Sequence, residues 1–337
     1  RGTVMGNEQK PDEFELIARF FAPLAAGCSG ALGLGDDAAV LTPPPGRHLV
    51  ITTDGLTEGV HFPAGEDPRD VAARLIGVNL SDLAAMGAEP WVYTLALALP
   101  EDWTPGWLAA FSGELKDQQE RYSLHLVGGD TTRTPGPMAL TLTALGTVGA
   151  GQGLRRGGAL PGDRIYVSGT IGDAALGLKC LQEGIEGLDE IHAQALAARY
   201  HRPEPRVALG RRLCGLATAA IDVSDGLIAD LGHLALESGL DAVINAGQVP
   251  YSEAVQAAVS LDSGLREQAL TGGDDYELLF SVPEAATAAI AAIGDDIGLA
   301  LKPIGTVSES NGDPGLVRVL GDDGQMLPIG HSGYRHF

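Results

Sequence analysis

Short runs of β-branched and aliphatic residues alternate with segments of helical period along all 337 residues. That alternation admits layered α/β and α+β folds and excludes a helical bundle. The pattern predicts strands over His48 to Thr53, Trp91 to Leu99, Leu124 to Val127, Met138 to Val148 and Ala219 to Val223. Asp70 to Met86 reads as a helix, with Val71, Leu75, Val78, Asp82 and Ala85 on one stripe and Gly87 as its stop. Leu227 to Glu237 reads as another, followed by Gly239. Further helices are expected at Asp12 to Phe21, Pro105 to Arg121, Asp173 to Gly184, Glu204 to Leu216 and Glu284 to Ile293.

The strongest interruption is GAGQGLRRGGALPGD, Gly149 to Asp163, near the middle of the chain. Glycine and proline at this density mark a linker, so we expect two domains, 11–150 and 151–337. The triplet GGD occurs on both sides of it, at Gly128 to Asp130 and at Gly272 to Asp274. An echo that short is weak support for a duplication.

Charge narrows the function. The chain carries 44 Asp+Glu against 22 Lys+Arg, a formal net charge of −22. Nucleic-acid binding rests on a basic footprint, and this chain has the opposite. Only Lys10, Lys116, Lys179 and Lys302 are lysines, so phosphate must be met by arginine, backbone amides or bound cations. The three cysteines Cys28, Cys180 and Cys214 are far apart and make neither a disulfide framework nor a zinc ribbon. With no apolar run near the ~18 residues of a membrane span and no signal-type apolar segment, the expected location is the cytoplasm.

The acids are not evenly spread. Asp36 and Asp37 in GLGDDAAV, Asp54 in ITTDG, Asp130 in LVGGD, Asp222 and Asp225 in IDVSDG, and Asp274 and Asp275 in GGDDYE stand at expected strand ends among small residues. Ligands bind at such ends in α/β sheets, and glycine permits close approach. Each acid taken singly also suits a turn or a helix N-cap. Asp82 differs, because its stripe should be buried and a buried carboxylate must be paired, hydrogen-bonded or metal-bound. Asn79 lies on nearly the same face. With Thr52, Thr53 and Ser224 adding hydroxyls, the donors are all oxygen, which selects Mg²⁺, Mn²⁺ or Ca²⁺ over zinc. The EF-hand spacing is missing. Magnesium commonly shares its ligands with substrate phosphates, so phosphoryl transfer or phosphate hydrolysis is the natural chemistry. No GxxxxGK[ST], no GxGxxG opening a helix and no protein-kinase signature occurs. ATP, if bound, must be held by metals, glycine-loop amides and arginines such as Arg156.

Taken in order, GLGDDAAV, ITTDGLTEGVHF, NLSDLAAMGAEP, GGDTTR, RPEPR, AIDVSDGLIADLGH and GGDDYELLF resemble the thiamine-monophosphate kinase family. That family sits in the superfamily of aminoimidazole ribonucleotide synthetase and selenophosphate synthetase. The likeness runs from about Phe14 to Tyr334. It implies a homodimer of two-domain α/β (α+β) subunits of the aminoimidazole ribonucleotide synthetase type. In such a subunit the N-terminal domain binds metal and ATP and pairs its sheet across the dimer, and the C-terminal domain completes the substrate site.

The resemblance further implies direct in-line transfer of the γ-phosphoryl group of ATP, a co-substrate, onto thiamine phosphate, with several Mg²⁺ ions per site. Asp37, Thr52, Thr53, Asp54, Asp82, Asp130, Asp222 and Asp225 match the family's metal positions, with Asp54 and Asp130 the catalytic pair. Gly129, Asp130, Arg156 and Ser224 match nucleotide positions, and His61, Asp274 and Tyr334 match positions that contact thiamine phosphate. The family often has glutamate where this chain has Asp274, which shortens the reach by a methylene.

The acceptor is a phosphate oxygen already ionised at neutral pH, so no histidine base is needed and positioning with charge neutralisation suffices. The competing readings are a related ATP-dependent synthetase of the aminoimidazole ribonucleotide type, a two-metal phosphohydrolase, and a silent binder of thiamine phosphate or nucleotide. Cys28 lies near the glycine loop, where selenophosphate synthetase needs a reactive residue, but the surrounding GDD and TTD are of the thiamine-phosphate type.

Overall fold

The computed structural model describes residues 10–330 and residue 333. The chain forms two compact units. One comprises the described residues up to Asn79 together with Pro90–Thr147, and the other Leu80–Glu89 together with the described residues from Val148 onward. The mixed α/β class is as expected.

The first unit contains α1 (Glu13–Leu16), α2 (Ala22–Ala25), β1 (Arg47–Thr57), most of α3 (Pro68–Ala85), β2 (Glu89–Leu99), α4 (Pro105–Tyr122), β3 (His125–Arg133) and β4 (Ala139–Gly149). Its four-stranded sheet runs β1-β4-β2-β3, so β1 and β3 are its edges. β2 and β3 pair in parallel, with Ala96 opposite Asp130. α4 starts where Thr104 accepts a hydrogen bond from the Trp107 amide at 3.1 Å, and Pro105 follows at a position that has no amide partner to lose. The expected helix from Asp12 to Phe21 is less regular, because a π-helical turn over Ile17–Phe21 separates α1 from α2.

Two expectations about strand ends are corrected here. The expected strand Leu124 to Val127 continues to Arg133, and β1 continues to Thr57. Asp54 and Asp130 therefore lie inside strands, not at their ends. Both strands are edges, where glycine and polar residues are tolerated because only one side of the backbone must pair. α3 also departs from the amphipathic reading. Every residue from Val71 to Ser81 is buried, so the helix is enclosed all round and its stripe does not define a face.

The second unit contains β5 (Arg164–Ser168), α5 (Asp173–Gln182), α6 (Glu190–His201), α7 (Val207–Leu213), β6 (Ala219–Asp222), α8 (Leu227–Glu237), β7 (Leu240–Asn245), α9 (Glu253–Leu261), α10 (Leu265–Thr271), β8 (Leu278–Val282), α11 (Thr287–Ile297), β9 (Leu301–Glu309) and β10 (Val317–Leu320). The six-stranded sheet runs β10-β7-β9-β5-β8-β6 and is antiparallel except between β10 and β7. Successive side chains go to opposite faces. Ile165, Val167, Ile221 and Leu279 pack with Leu227, Leu231 and Leu234 of α8. Tyr166, Ala220, Leu278 and Phe280 pack with Leu209 and Leu213 of α7 and Ile290 and Ile293 of α11. Tyr166 and Phe280, direct partners across β5 and β8, stack at 5.6 Å.

β5, β7, β8, β9, β10, α2, α6, α9 and α10 add to the elements read from the sequence. The helix expected from Glu204 begins only at Val207, because Pro203 and Pro205 lack the amides a helix interior needs. No helix among the described residues is long and apolar enough to cross a membrane.

Candidate active site

In the first unit a cavity of about 150 Å³ opens beside β3. Ile17, Phe21, Leu34 and Leu97 form its apolar wall, and Asp36, Asp37, Gly129 and Asp130 line it as well. The glycine-rich turn before Asp36 supplies the curvature: Leu32, Gly33 and Leu34 all have positive φ. Gly129 is required by a close approach, since a Cβ there would lie 2.0 Å from the Leu95 carbonyl oxygen of β2. Asp37, Gly129 and Asp130 thus line one cavity, and Asp36 joins them.

Thr52, Thr53 and Asp54 lie on the opposite edge of the sheet. β4 and β2 stand between, so three strand spacings, on the order of 14 Å along the sheet, separate them from Asp130. The Thr52 and Thr53 side chains leave the strand on opposite faces. Thr53 Oγ1 bonds the Leu142 carbonyl at 3.3 Å and meets the Thr143 hydroxyl of β4, while Thr52 and Asp54 share the other face of the strand. The Asp54 amide donates to Asn79 Oδ1 at 3.1 Å, and Asn79 Nδ2 donates to the Leu75 carbonyl at 2.9 Å. Asn79, wholly buried, therefore ties β1 to α3 at the site residue. His61 accepts the Thr57 amide on Nδ1 at 3.0 Å, which fixes its ring in the turn after β1.

In the second unit the sites meet around the amino end of α8. Asp222 closes β6, is almost fully buried, and accepts the Ser81 hydroxyl at 2.7 Å. Asp82 follows Ser81 and is half-buried, not fully buried as its stripe suggested. Ser224 and Asp225 form the turn into α8, and their amides with that of Gly226 converge on one oxygen of Asp230 at 3.0, 3.0 and 3.2 Å. Burial, with Asp222 nearby, pushes the Asp230 carboxyl up to about 8, against the pull of those amides. Sequence reasoning missed Asp230. Its place in the first turn of a helix, where acids favour the free amides, was the available signal.

The GGDDYE segment is fastened to this turn. The Asp274 amide donates to the Ser224 carbonyl at 2.9 Å and the Tyr276 amide to the Val223 carbonyl at 2.8 Å. A Cβ on Gly273 would lie 2.1 Å from the Ser224 carbonyl oxygen. Asp275 and Glu277 turn inward. Asp275 accepts the Gly172 and Ala174 amides at 2.7 and 3.2 Å and so caps α5, and burial holds its carboxyl well above the usual range. Glu277 is wholly buried against Arg199 (2.8 Å), Arg206 (2.7 Å) and Ser168 (2.5 Å). RPEPR thus meets GGDDYE through Arg206.

Arg156 stands elsewhere. Its carbonyl takes the Ser238 hydroxyl at 3.5 Å, at the carboxyl end of α8, and Ser224 precedes the amino end of that 11-residue helix. Tyr334 lies outside the described residues. The structure therefore gathers Ser224, Asp225, Asp222 and Asp274 in one place and leaves the Arg156 main chain at another.

Comparison with known proteins shows the family. Residues 35–148 match the family model of the AIR synthase related protein N-terminal domain, and residues 161–316 that of its C-terminal domain. The thiamine-monophosphate kinase of Salmonella typhimurium is 44% identical over 326 residues, which is 96% of this chain and 98% of that protein. A crystal structure of thiamine-monophosphate kinase from Stenotrophomonas maltophilia K279a is 43% identical, with a TM-score of 0.79 over 87% of this chain and 91% of its own. A structure of AaThiL complexed with AMPPCP and TMP is 32% identical, with a TM-score of 0.76 over 90% and 91%. The motifs, the two domains and near full-length identity lead to one conclusion: the chain belongs to the thiamine-monophosphate kinase family.

Proposed function

We propose that the chain transfers the γ-phosphoryl group of ATP to thiamine phosphate, giving ADP and thiamine diphosphate. The observation that carries this reading is 44% identity to a thiamine-monophosphate kinase across 96% of the chain. The AaThiL relative complexed with AMPPCP and TMP supports the pairing of a nucleotide with thiamine phosphate.

The residues fit a hard divalent cation, because the acids beside the first-unit cavity and around Asp222 offer oxygen donors only. Several Mg²⁺ ions would be held among Asp37, Asp54, Asp82, Asp130, Asp222 and Asp225, with Thr52 and Thr53 contributing oxygen, and would neutralise phosphate charge. Asp54 and Asp130 are the catalytic pair in this reading. Gly129, Asp130, Arg156 and Ser224 hold ATP, and His61, Asp274 and Tyr334 hold thiamine phosphate. The chain's own task is to bring two anionic phosphates into line and hold them there. A homodimer in the cytoplasm completes the proposal, the first domain (11–150) forming the interface and the second (151–337) closing the substrate site. Exposed Leu49 and Ile51 on the edge strand β1 support pairing through that strand.

The test is mass-balanced conversion of thiamine phosphate to the diphosphate with ATP and Mg²⁺ varied independently. One ADP per diphosphate is expected, with activity of Asp54→Asn and Asp130→Asn lost at limiting Mg²⁺. Full activity of either variant would overturn the metal assignment. Phosphate release without an acceptor would make the chain a phosphohydrolase.

A further inference from the structure

Asp274 and Tyr276 are two of the five non-glycine residues with positive φ among those described, at 75° and 51°. Left-handed backbone is costly for both residue types and persists only where the surroundings impose it. Here the imposing contacts are visible. Asp275 accepts two amides at the amino end of α5, Glu277 is held by Arg199, Arg206 and Ser168, and both acids are buried. Between them the amides of Asp274 and Tyr276 are clasped by the Ser224 and Val223 carbonyls. The chain thus buries every second side chain and turns Asp274 and Tyr276 together to the half-buried side. There the Tyr276 hydroxyl donates to Asp274 Oδ1 at 3.2 Å.

We infer that Tyr276 is a positioning residue for substrate: its hydroxyl fixes the Asp274 carboxylate in the orientation that meets the cationic end of thiamine phosphate. This deepens the proposed function and rests on Asp274 being a substrate contact. A carboxylate on a flexible χ1 and χ2 must be ordered when its ligand binds, and a hydrogen bond made beforehand removes part of that cost. The strained backbone adds to the same end, because it sets the direction of both Cα–Cβ bonds before substrate arrives. The anchors Asp275 and Glu277 serve the fold, whereas the Tyr276 hydroxyl makes its described hydrogen bond to a residue of the proposed site.

The experiment compares Tyr276→Phe, Asp274→Asn and the double variant in the full-length chain. Steady-state KM for thiamine phosphate, KM for ATP, the Mg²⁺ requirement and thermal stability are measured for each. Phenylalanine keeps the ring and the backbone and deletes only the hydroxyl. Tyr276→Phe is expected to raise KM for thiamine phosphate about fivefold or more, the effect of losing one hydrogen bond to a charged group. KM for ATP, the Mg²⁺ requirement and Tm should stay at parental values. The double variant should be no worse than Asp274→Asn alone, since the two groups act as one unit. If Asp274→Asn raises KM for thiamine phosphate and Tyr276→Phe does not, the inference fails and the Asp274 assignment stands. If Asp274→Asn leaves that KM unchanged, the Asp274 assignment fails and the inference with it. A Tyr276→Phe variant with lowered Tm and all parameters shifted together would reduce Tyr276 to a structural role and also overturn the inference.

Discussion

The Ser81 hydroxyl donates to the Asp222 carboxylate at 2.7 Å, both residues being almost wholly buried, and so joins the last turns of α3 to the end of β6. These residues are 141 positions apart. The bond fixes one rotamer of an acid that the proposed function assigns to magnesium.

Ser81→Ala removes one hydrogen bond from a buried carboxylate. A loss of about 1–3 kcal/mol is expected in denaturant unfolding of the second unit, together with a raised Mg²⁺ requirement for turnover. Urea titration and a Mg²⁺ activation curve check the two effects, and an unchanged pair of curves would remove Ser81 from the site.

Gly129→Ala places a methyl group 2.0 Å from the Leu95 carbonyl oxygen. β3 must then move away from β2 and carry Asp130 with it. A stability loss of roughly 1–3 kcal/mol and a fall in activity larger than stability explains are expected. Activity measured well below the unfolding midpoint, with circular dichroism as the control for folding, separates the two.

Glu277→Gln removes the buried anion that Arg199 and Arg206 share and leaves them only the more exposed Glu204. Breaking one member of such a group costs on the order of 3–5 kcal/mol. The expected result is a folded state seen only at low temperature or low denaturant, and a midpoint equal to that of the parent would contradict the ion-pair account.

Asp275 gives a pH prediction with a definite sign. Burial raises its carboxyl well above the ordinary value, so the folded state holds the proton more tightly than the unfolded chain does. The stability tied to that proton is complete below the ordinary carboxylate range, about pH 4, and is lost as pH rises through the folded value. Asp275→Asn does not titrate and keeps one acceptor for two amides, so it should be less stable than the parent, with a gap that narrows as pH rises. Urea midpoints of both proteins from pH 5 to pH 8 test this; a gap that widens with pH would show that the carboxylate is ionised in the folded state.

Several features are legible in the sequence. The strand around Trp91 to Leu99 and the helix Leu227 to Glu237 follow from local periodicity, because each buries one face within its own span, and Ala219 to Val223 follows as a short run buried on both faces. The strands β7 to β10 were harder to see. They are short, and their ladders are completed by partners far along the chain, such as Gly305 opposite Ile244 and Val317 opposite Ala242. Asp54 and Asp130 were visible as chemistry but misplaced as strand ends, since an edge strand can run on through glycine and threonine.

By itself the sequence determined the kind of chemistry: an excess of acid with four lysines, aspartates set among glycines, and an ordered series of motifs specific to one family. Those are properties of residue type and spacing, which survive without a fold. The tertiary structure decided which of these residues stand together. Only folding could bring Glu277 against Arg206 and the Ser81 hydroxyl to Asp222, and separate Asp54 from Asp130 across a sheet. Hydrogen bonds reach only about 3 Å, so such partnerships depend on strand order and backbone direction, which no local pattern encodes.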